Sequence, residues 1–482
     1  MTKMRLFAFA VLLSFALGIL AAAQDDASPR TPEQPAAQTQ AAEHQEVQPT
    51  IVRRQGTVIT PPSSVSTPGK GGHTNYKIFV PAGLKQSEVN PANTYAETPY
   101  SMSCVYGVGT AYSGCNVNAG GTANLATGGW GTIALVDAYD DPNIASDLAF
   151  FSSYWGLATP NFTKVIANSS FGTLNGLTAD CSGTPPNGNF DGWDVEESLD
   201  VEWAHVMAPH AKIVVVEACD QTLPQLLFAE EVAGIEVAKT GGGDISNSWG
   251  YPESDVGCPS CGGGTLTETQ DDNYLFRYYW SHTTYFASAG DTGAEVLYPS
   301  ASPWVVSAGG TTVNRDSSGN FVSESCWSDS GGGPSTVEKW QSPPTFGNGL
   351  GPWADYQYEI FGDGTGTPRY TPDISFNADP NSGVYVYDTD EGHTWYIVGG
   401  TSVSSPSLAG IVNASNDRAG QAPPGGGYYE THENDLIYGE YLLHLTYPHY
   451  FYDVTTGSNG HPAGTGYDQC TGIGSPRGHV GK

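Results

Sequence analysis

Three separated stretches of the chain carry side chains able, by type and spacing, to break an acyl bond. The run Gly399-Gly400-Thr401-Ser402 opens GGTSVSSPSLAGIVNAS, a helix-like segment with Pro406 in its first turns. Ser402 therefore stands near a helix start, where backbone amides favour a developing anion; a plain N-cap is the simpler reading of such a serine. A nucleophilic serine needs a base, and none of the eleven His sits in the His-Gly-Thr context that would supply one. Carboxyl groups are the alternative. In DVEESLDVEWAH, residues 194 to 205, Glu196 and Asp200 are four apart and share one helix face. Two carboxylates so placed cannot both ionise freely, so one pKa rises and the pair holds a proton that it can take up and release in acid. Glu197 meets the same spacing test at three residues from Asp200, and a solvated acidic face would account for the stretch without chemistry. Asp291, in ASAGDTGA between Gly290 and Gly293, follows an apolar run. Protonated, it could donate a hydrogen bond to an oxyanion; otherwise it is a turn former.

An alternation of strands and helices must position these groups. GTIALVDA (131–138), AKIVVVEA (211–218), GDISNSWG and TTYFASAG read as buried strands, and ASDLAFFSSYW, LPQLLFAEEVAGIEVAK and TETQDDNYLFRYYW as helices. Such an order predicts an α/β fold with a doubly wound, mainly parallel sheet and helices on both faces. Ligands of such sheets sit beyond the carboxyl ends of the strands, which is where Asp291 and Ser402 fall.

Fifty acidic against eighteen basic side chains give a net charge of −32, a sign that excludes nucleic acid as a partner. The charge fits a soluble exported protein and suits an acidic medium, where protonated carboxyls reduce self-repulsion. Residues 1–23 read as an export signal: Lys3 and Arg5, the apolar run Leu6 to Leu20, then Ala21, Ala22 and Ala23. Secretion is the expectation, with no membrane association once the signal is removed. All eight Cys lie beyond it, so disulfides are expected, and closeness in sequence favours Cys104 with Cys115 and Cys258 with Cys261. The lone CPSC lacks the second pair that zinc would want. Residues 24–94 are assigned to a low-complexity linker or short pro-segment, because 24–74 are rich in Pro, Gln, Ala, Thr and Ser, and 95–482 to one domain.

Together the motifs are more specific than their parts. The ordered set GGWGTIALVDAYDDP, EESLDVEWAHVMAPHAKIVVVEA, ISNSWG, ASAGDTGA, YPSASPWVVSAGGTTV, GGGPS, PDISFNADPNSGV and GGTSVSSPSLAG resembles the sedolisins, or serine-carboxyl peptidases, over about residues 95 to 478. The resemblance implies a subtilisin-like fold and a secreted serine endopeptidase acting in acid on protein or peptide substrates, as a monomer. It puts the base on Glu196, its partner on Asp200, the oxyanion acid on Asp291 and the nucleophile on Ser402. It implies further that Ser246, Asn247, Ser248, Trp249 and Gly250 line the cleft and pair with the substrate backbone, although Trp249 could equally be core. FYDVTTGSNGHPAGTGYDQCTGIGSP resembles the family's calcium loop, which implies one structural Ca²⁺ held by Asp453 and Asp468 with the carbonyls of Val454, Gly464 and Gly466, hard oxygen ligands suited to that ion. The loop is shorter than expected, the substantial folded propeptide usual in the family has no counterpart, and Gly425 to Tyr450 has no clear match and reads as a surface insertion. Two other functions remain: a calcium-stabilised binding module without catalysis, and an exopeptidase acting from N-termini.

Overall fold

Alternating side chains along Thr132–Ala138 pack against opposite faces of the main sheet, because successive residues of a strand point to opposite sides. Ile133 and Leu135 join one buried cluster with Ile213 and Val215, while Ala134 and Val136 join another with Val214 and Val216. A strand buried on both faces reads as a continuous apolar run, and this one does. In this computed structural model the described residues are 50–67, 69–92, 96–276, 282–339, 357, 368–390, 392, 394–415, 433–442 and 445–479. The expected signal at 1–23 lies outside them, as do the last residues of the TETQDDNYLFRYYW helix, which is observed over Glu268–Tyr274.

The sheet runs Phe321–Cys326, Val306–Arg315, Thr283–Ser288, Gly243–Asn247, Thr132–Ala138, Lys212–Ala218, Asn161–Ala167, with Ile374–Asn377 also paired to Val306–Arg315. All these pairings are parallel except that of Phe321–Cys326. Helices Trp193–Met207 and Thr401–Asn413 pack together on one face, where Met207 meets Gly410, and Leu223–Ala238 covers the other. The fold is thus the doubly wound, subtilisin-like α/β arrangement expected.

The boundary at 95 moves. Gly56–Ile59 and Lys77–Pro81 form an antiparallel sheet with Trp395–Gly399 and Val384–Tyr387, and His73–Thr74 pairs with Trp249–Gly250. Residues 50–92 belong to the same compact unit as the rest of the domain. Low complexity gave no hint of this, since main-chain pairing places few demands on side chains.

All eight Cys are paired: Cys104–Cys115, Cys181–Cys219, Cys258–Cys261 and Cys326–Cys470. The last ties the edge strand Phe321–Cys326 of the main sheet to the C-terminal loop. Part of Gly425–Tyr450 lies outside the described residues; within the rest, helix Glu433–Leu442 is no surface insertion, because Tyr438 is buried and donates to Asp373 Oδ1 at 2.6 Å.

Candidate active site

Every residue of helix Trp193–Met207 is buried, which removes the reading of a solvated acidic face. Helix Thr401–Asn413 crosses it and brings Ser402 Oγ to donate to Glu196 Oε2 at 3.0 Å. Asp200, one turn on, accepts from Ser248 Oγ at 2.7 Å. Glu197 makes no hydrogen bond to Ser402 and lies beside Glu217, Asp141, Asp137 and Lys164. The choice between Glu196 and Glu197, open in the sequence, is therefore made by packing. Among the described residues no imidazole hydrogen-bonds to Ser402.

A third carboxyl completes the group. Asp137, at the carboxyl end of its strand, is fully buried and electrostatically coupled to both Glu196 and Asp200. Glu196 Oε1, Asp200 Oδ2 and both oxygens of Asp137 have no hydrogen-bond partner among the described residues. Burial raises all three pKa values, that of Asp137 to about 8, and for Glu196 the neighbouring Asp200 and Asp137 charges add to it. Acidic groups without a cation and with unpartnered oxygens hold protons. Asp137 was missed in the sequence, where the one available signal was an acidic residue inside an apolar strand.

Asp291 approaches from the end of Thr283–Ser288. Its Oδ1 accepts from Thr401 N at 2.8 Å and Thr401 Oγ1 at 2.9 Å, leaving Oδ2 buried and unpartnered. Burial pushes its pKa up to about 7 against the pull of Lys77 and the Thr401 hydrogen bonds. Gly400, with φ of 121°, permits this approach, since a Cβ there would lie 2.6 Å from Asp291 Oδ2.

The cleft holds a segment of the chain itself. Asn75 O accepts from Ser402 N at 2.9 Å, Asn75 N donates to Ser402 Oγ at 3.1 Å, and Asn75 Nδ2 donates to Ser288 Oγ at 2.7 Å. On one side Thr74 and His73 pair antiparallel with Trp249 and Gly250; on the other Lys77 and Ile78 pair with Gly399 and Val398. Of the residues expected to line the cleft, Trp249 and Gly250 pair with the segment, and Ser248 O accepts from Ser402 Oγ at 3.2 Å, whereas the side chains of Ser246, Asn247 and Trp249 are engaged elsewhere. Ser246 Oγ bonds Ser405 Oγ at 2.8 Å, Asn247 Nδ2 bonds Phe286 O at 3.3 Å, and Trp249 lies in the core with its indole N–H on Val136 O at 3.0 Å. What Trp249 and Gly250 turn to the cleft is main chain. Residues 73–78 carried no sequence signal for this place.

In the C-terminal loop Gly466 N donates to both oxygens of Asp453 at 3.1 Å, and Gly464 N donates to Asp468 Oδ2 at 2.9 Å. Among the described residues no donor reaches the carbonyl oxygens of Val454, Gly464 or Gly466, and no cluster of three or more acidic, His or Cys side chains is arranged for a metal. Asp468 Oδ1 also accepts from Cys470 N at 2.9 Å and Thr471 N at 2.8 Å, and the two carboxylates and the loop carbonyls are oxygen donors of the kind Ca²⁺ takes. No helix among the described residues is long and apolar enough to cross a membrane.

The subtilase family model matches residues 178–419. Kumamolisin of Bacillus sp. (strain MN-32) is 30% identical over 371 residues, covering 72% of this chain and 58% of kumamolisin. Sedolisin of Pseudomonas sp. (strain 101) is 28% identical over 267 residues, covering 48% of this chain and 38% of that protein. The chain thus spans less than two thirds of the length of these relatives. Among solved structures, Pseudomonas sedolisin, a serine-carboxyl proteinase complexed with two molecules of pseudo-iodotyrostatin, matches with a TM-score of 0.59 at 22% identity, covering 80% of this chain and 96% of that one. With the fold, the buried carboxyls around Ser402 and the matched motifs together, the chain belongs to the subtilase family and, within it, to the sedolisins.

Proposed function

We propose that the protein is a secreted serine-type endopeptidase that works in acid, with Ser402 as nucleophile and Glu196 as base. The observation that carries this is the 3.0 Å hydrogen bond from Ser402 Oγ to a carboxyl that burial and two neighbouring acids keep near protonation. As Oγ attacks the substrate carbonyl carbon, its proton passes to Glu196 Oε2, so the negative charge leaves that carboxylate and appears on the carbonyl oxygen, while Asp200 and Asp137 beside Glu196 favour its protonated form. Ser402 N–H and a protonated Asp291 Oδ2 hold the oxyanion. Glu196 then returns the proton to the leaving amine, and water releases the acyl group by the same path in reverse.

The acid dependence follows from Asp291. It donates only while protonated, so the rate falls as pH rises through about 7. At the other end the limit is the step that puts the last proton on the Glu196, Asp200 and Asp137 group, since one carboxylate of the three must stay ionised for Glu196 to act as base. Secretion is supported by the export signal in the sequence and by four disulfides, which persist in oxidising compartments. Asp453 and Asp468, with the carbonyls of Val454, Gly464 and Gly466, would hold one Ca²⁺, whose contribution when bound is to cross-link the loop to the domain.

Digestion of casein at about pH 4 by the wild-type chain and by Ser402→Ala tests the proposal. Removing the nucleophile should abolish release of peptides, a loss of at least about a thousandfold. Equal digestion by both proteins would overturn it.

A further inference from the structure

Ser402 N–H donates to the carbonyl of Asn75, which fixes a register. Taking the chain's own segment as a stand-in for bound peptide, the carbonyl under attack is that of Asn75, the bond facing the nucleophile is Asn75–Tyr76, and Lys77 is the second residue beyond it. The antiparallel pairings on both sides are those by which an extended peptide adds to strand edges, where main chain gives affinity and alternate side chains give specificity. The strand pairings are main-chain contacts, indifferent to sequence, and the side chains of Asn75 and Tyr76 reach only neutral partners, Ser288 Oγ at 2.7 Å and Gly192 O at 2.7 Å.

Lys77 is different. Its Nζ donates to Asp329 Oδ2 at 2.6 Å and to the main-chain carbonyl of Asp291 at 2.8 Å, and lies 5.2 Å from the centre of the Trp327 ring. A carboxylate, a carbonyl and an aromatic face converging on one point form a receptor for a cation. An ionised acidic side chain there would meet Asp329 and a buried carbonyl with no proton to offer, so the same atoms that attract a basic residue disfavour an anionic one. The Lys77 side chain is 13% exposed and that of Asp329 46%, so the acid forms the rim of the pocket and the aliphatic stem is enclosed.

We infer that Asp329 and Trp327, with the Asp291 carbonyl, form a subsite that selects a Lys or Arg two positions after the cleaved bond of a peptide substrate. The inference rests on the peptidase reading and adds the class of sequence that the cleft prefers. An unrelated structural role for the Lys77–Asp329 pair would leave substrate choice untouched, and that difference can be measured.

The experiment is a digest of whole casein by the full chain at about pH 4, with every product end identified by mass spectrometry, for wild type, Asp329→Asn and Asp329→Lys. In the wild type, Lys and Arg should be enriched about fivefold at the second position after the cut. Asp329→Asn should cut that enrichment by more than half, and Asp329→Lys should shift it towards Asp and Glu. The half-exposed position of Asp329 makes both variants compatible with folding, and melting curves in parallel check this. An identical profile at that position in wild type and Asp329→Lys would overturn the inference while leaving the peptidase reading intact. Failure of the wild type to release any peptide beyond Ser402→Ala would overturn the peptidase reading and the inference with it.

Discussion

Glu196 and Glu97 are both wholly buried glutamates of one domain, yet their surroundings push their pKa values in opposite directions. Burial alone would raise the pKa of each. At Glu97 the Arg315 guanidinium, donating through Nε at 2.9 Å and Nη2 at 2.6 Å, with Ser101 at 2.7 Å and the Arg54 charge, more than offsets burial and brings the pKa below its usual value. At Glu196 the neighbours are Asp200, Asp137 and Asp291, and the hydrogen bond from Ser402 opposes the rise only in part. One environment stabilises a charge and fastens residue 97 to the strand Val306–Arg315. The other keeps a proton mobile beside a hydroxyl. Depth of burial does not distinguish a structural carboxylate from a chemical one; the sign of its neighbours does.

The largest expected contrast is in activity. Glu196→Gln should lower kcat/KM for casein at about pH 4 by 10² to 10⁴, with the melting temperature held or raised, because an amide keeps the contact to Ser402 but cannot take its proton. A variant with wild-type activity would break the assignment of the base. Glu97→Gln should do the reverse. Leaving Arg315 buried with half its partner removed should cost about 3–5 kcal/mol in denaturant unfolding, while protein that stays folded keeps its rate. An unaltered unfolding midpoint would show that the pair contributes nothing.

The pH dependence of stability should differ in sign between the two regions. Glu196, Asp200, Asp137 and Asp291 have folded pKa values raised above their unfolded ones, so the stability they contribute is complete below the unfolded values and is lost as pH rises, through about 7 for Asp291 and about 8 for Asp137. Glu97, depressed, contributes stability above its unfolded value that is lost as pH falls through its folded one. Unfolding of Glu196→Gln should therefore depend less steeply on pH between about 5 and 8 than that of wild type, and the same slope in both would contradict the shared-proton picture. Asp291→Asn sharpens the point, because an amide donates at every pH. If Asp291 is the oxyanion donor, the fall in rate near pH 7 should move upward in that variant.

Smallest is the effect of calcium. Chelation should lower the melting temperature by a few degrees, in line with about 2.7 kcal/mol for an ion present at a hundred times its dissociation constant, and Asp453→Asn should remove the response. A melting curve indifferent to chelator would count against the loop as an ion site.

Much of the fold was legible because it depends on patterns local in the chain. The apolar runs 131–138 and 211–218 could only be doubly buried strands, and the 223–238 helix follows from its length and apolar content. Closeness favoured Cys104 with Cys115 and Cys258 with Cys261, as observed, whereas nothing in the sequence favoured Cys181–Cys219 and Cys326–Cys470, separated by 38 and 144 residues. Residues 50–92 were misjudged, since strands whose role is main-chain pairing need no marked composition.

The sequence alone determined the inventory: a serine at a helix start, acids four apart on one helix, an acid after a strand, and no histidine in a place to serve them. These are properties of residue type and spacing along single elements. Only the tertiary structure decided that Glu196 and not Glu197 faces Ser402, that Asp137 joins the group, and that Asn75 lies over the nucleophile. Each of those depends on which face of one element meets another far away in sequence, and on the removal of water and cations from the space between them. The exclusion of solvent turns an acidic patch into a proton store, and no single segment of the chain encodes it.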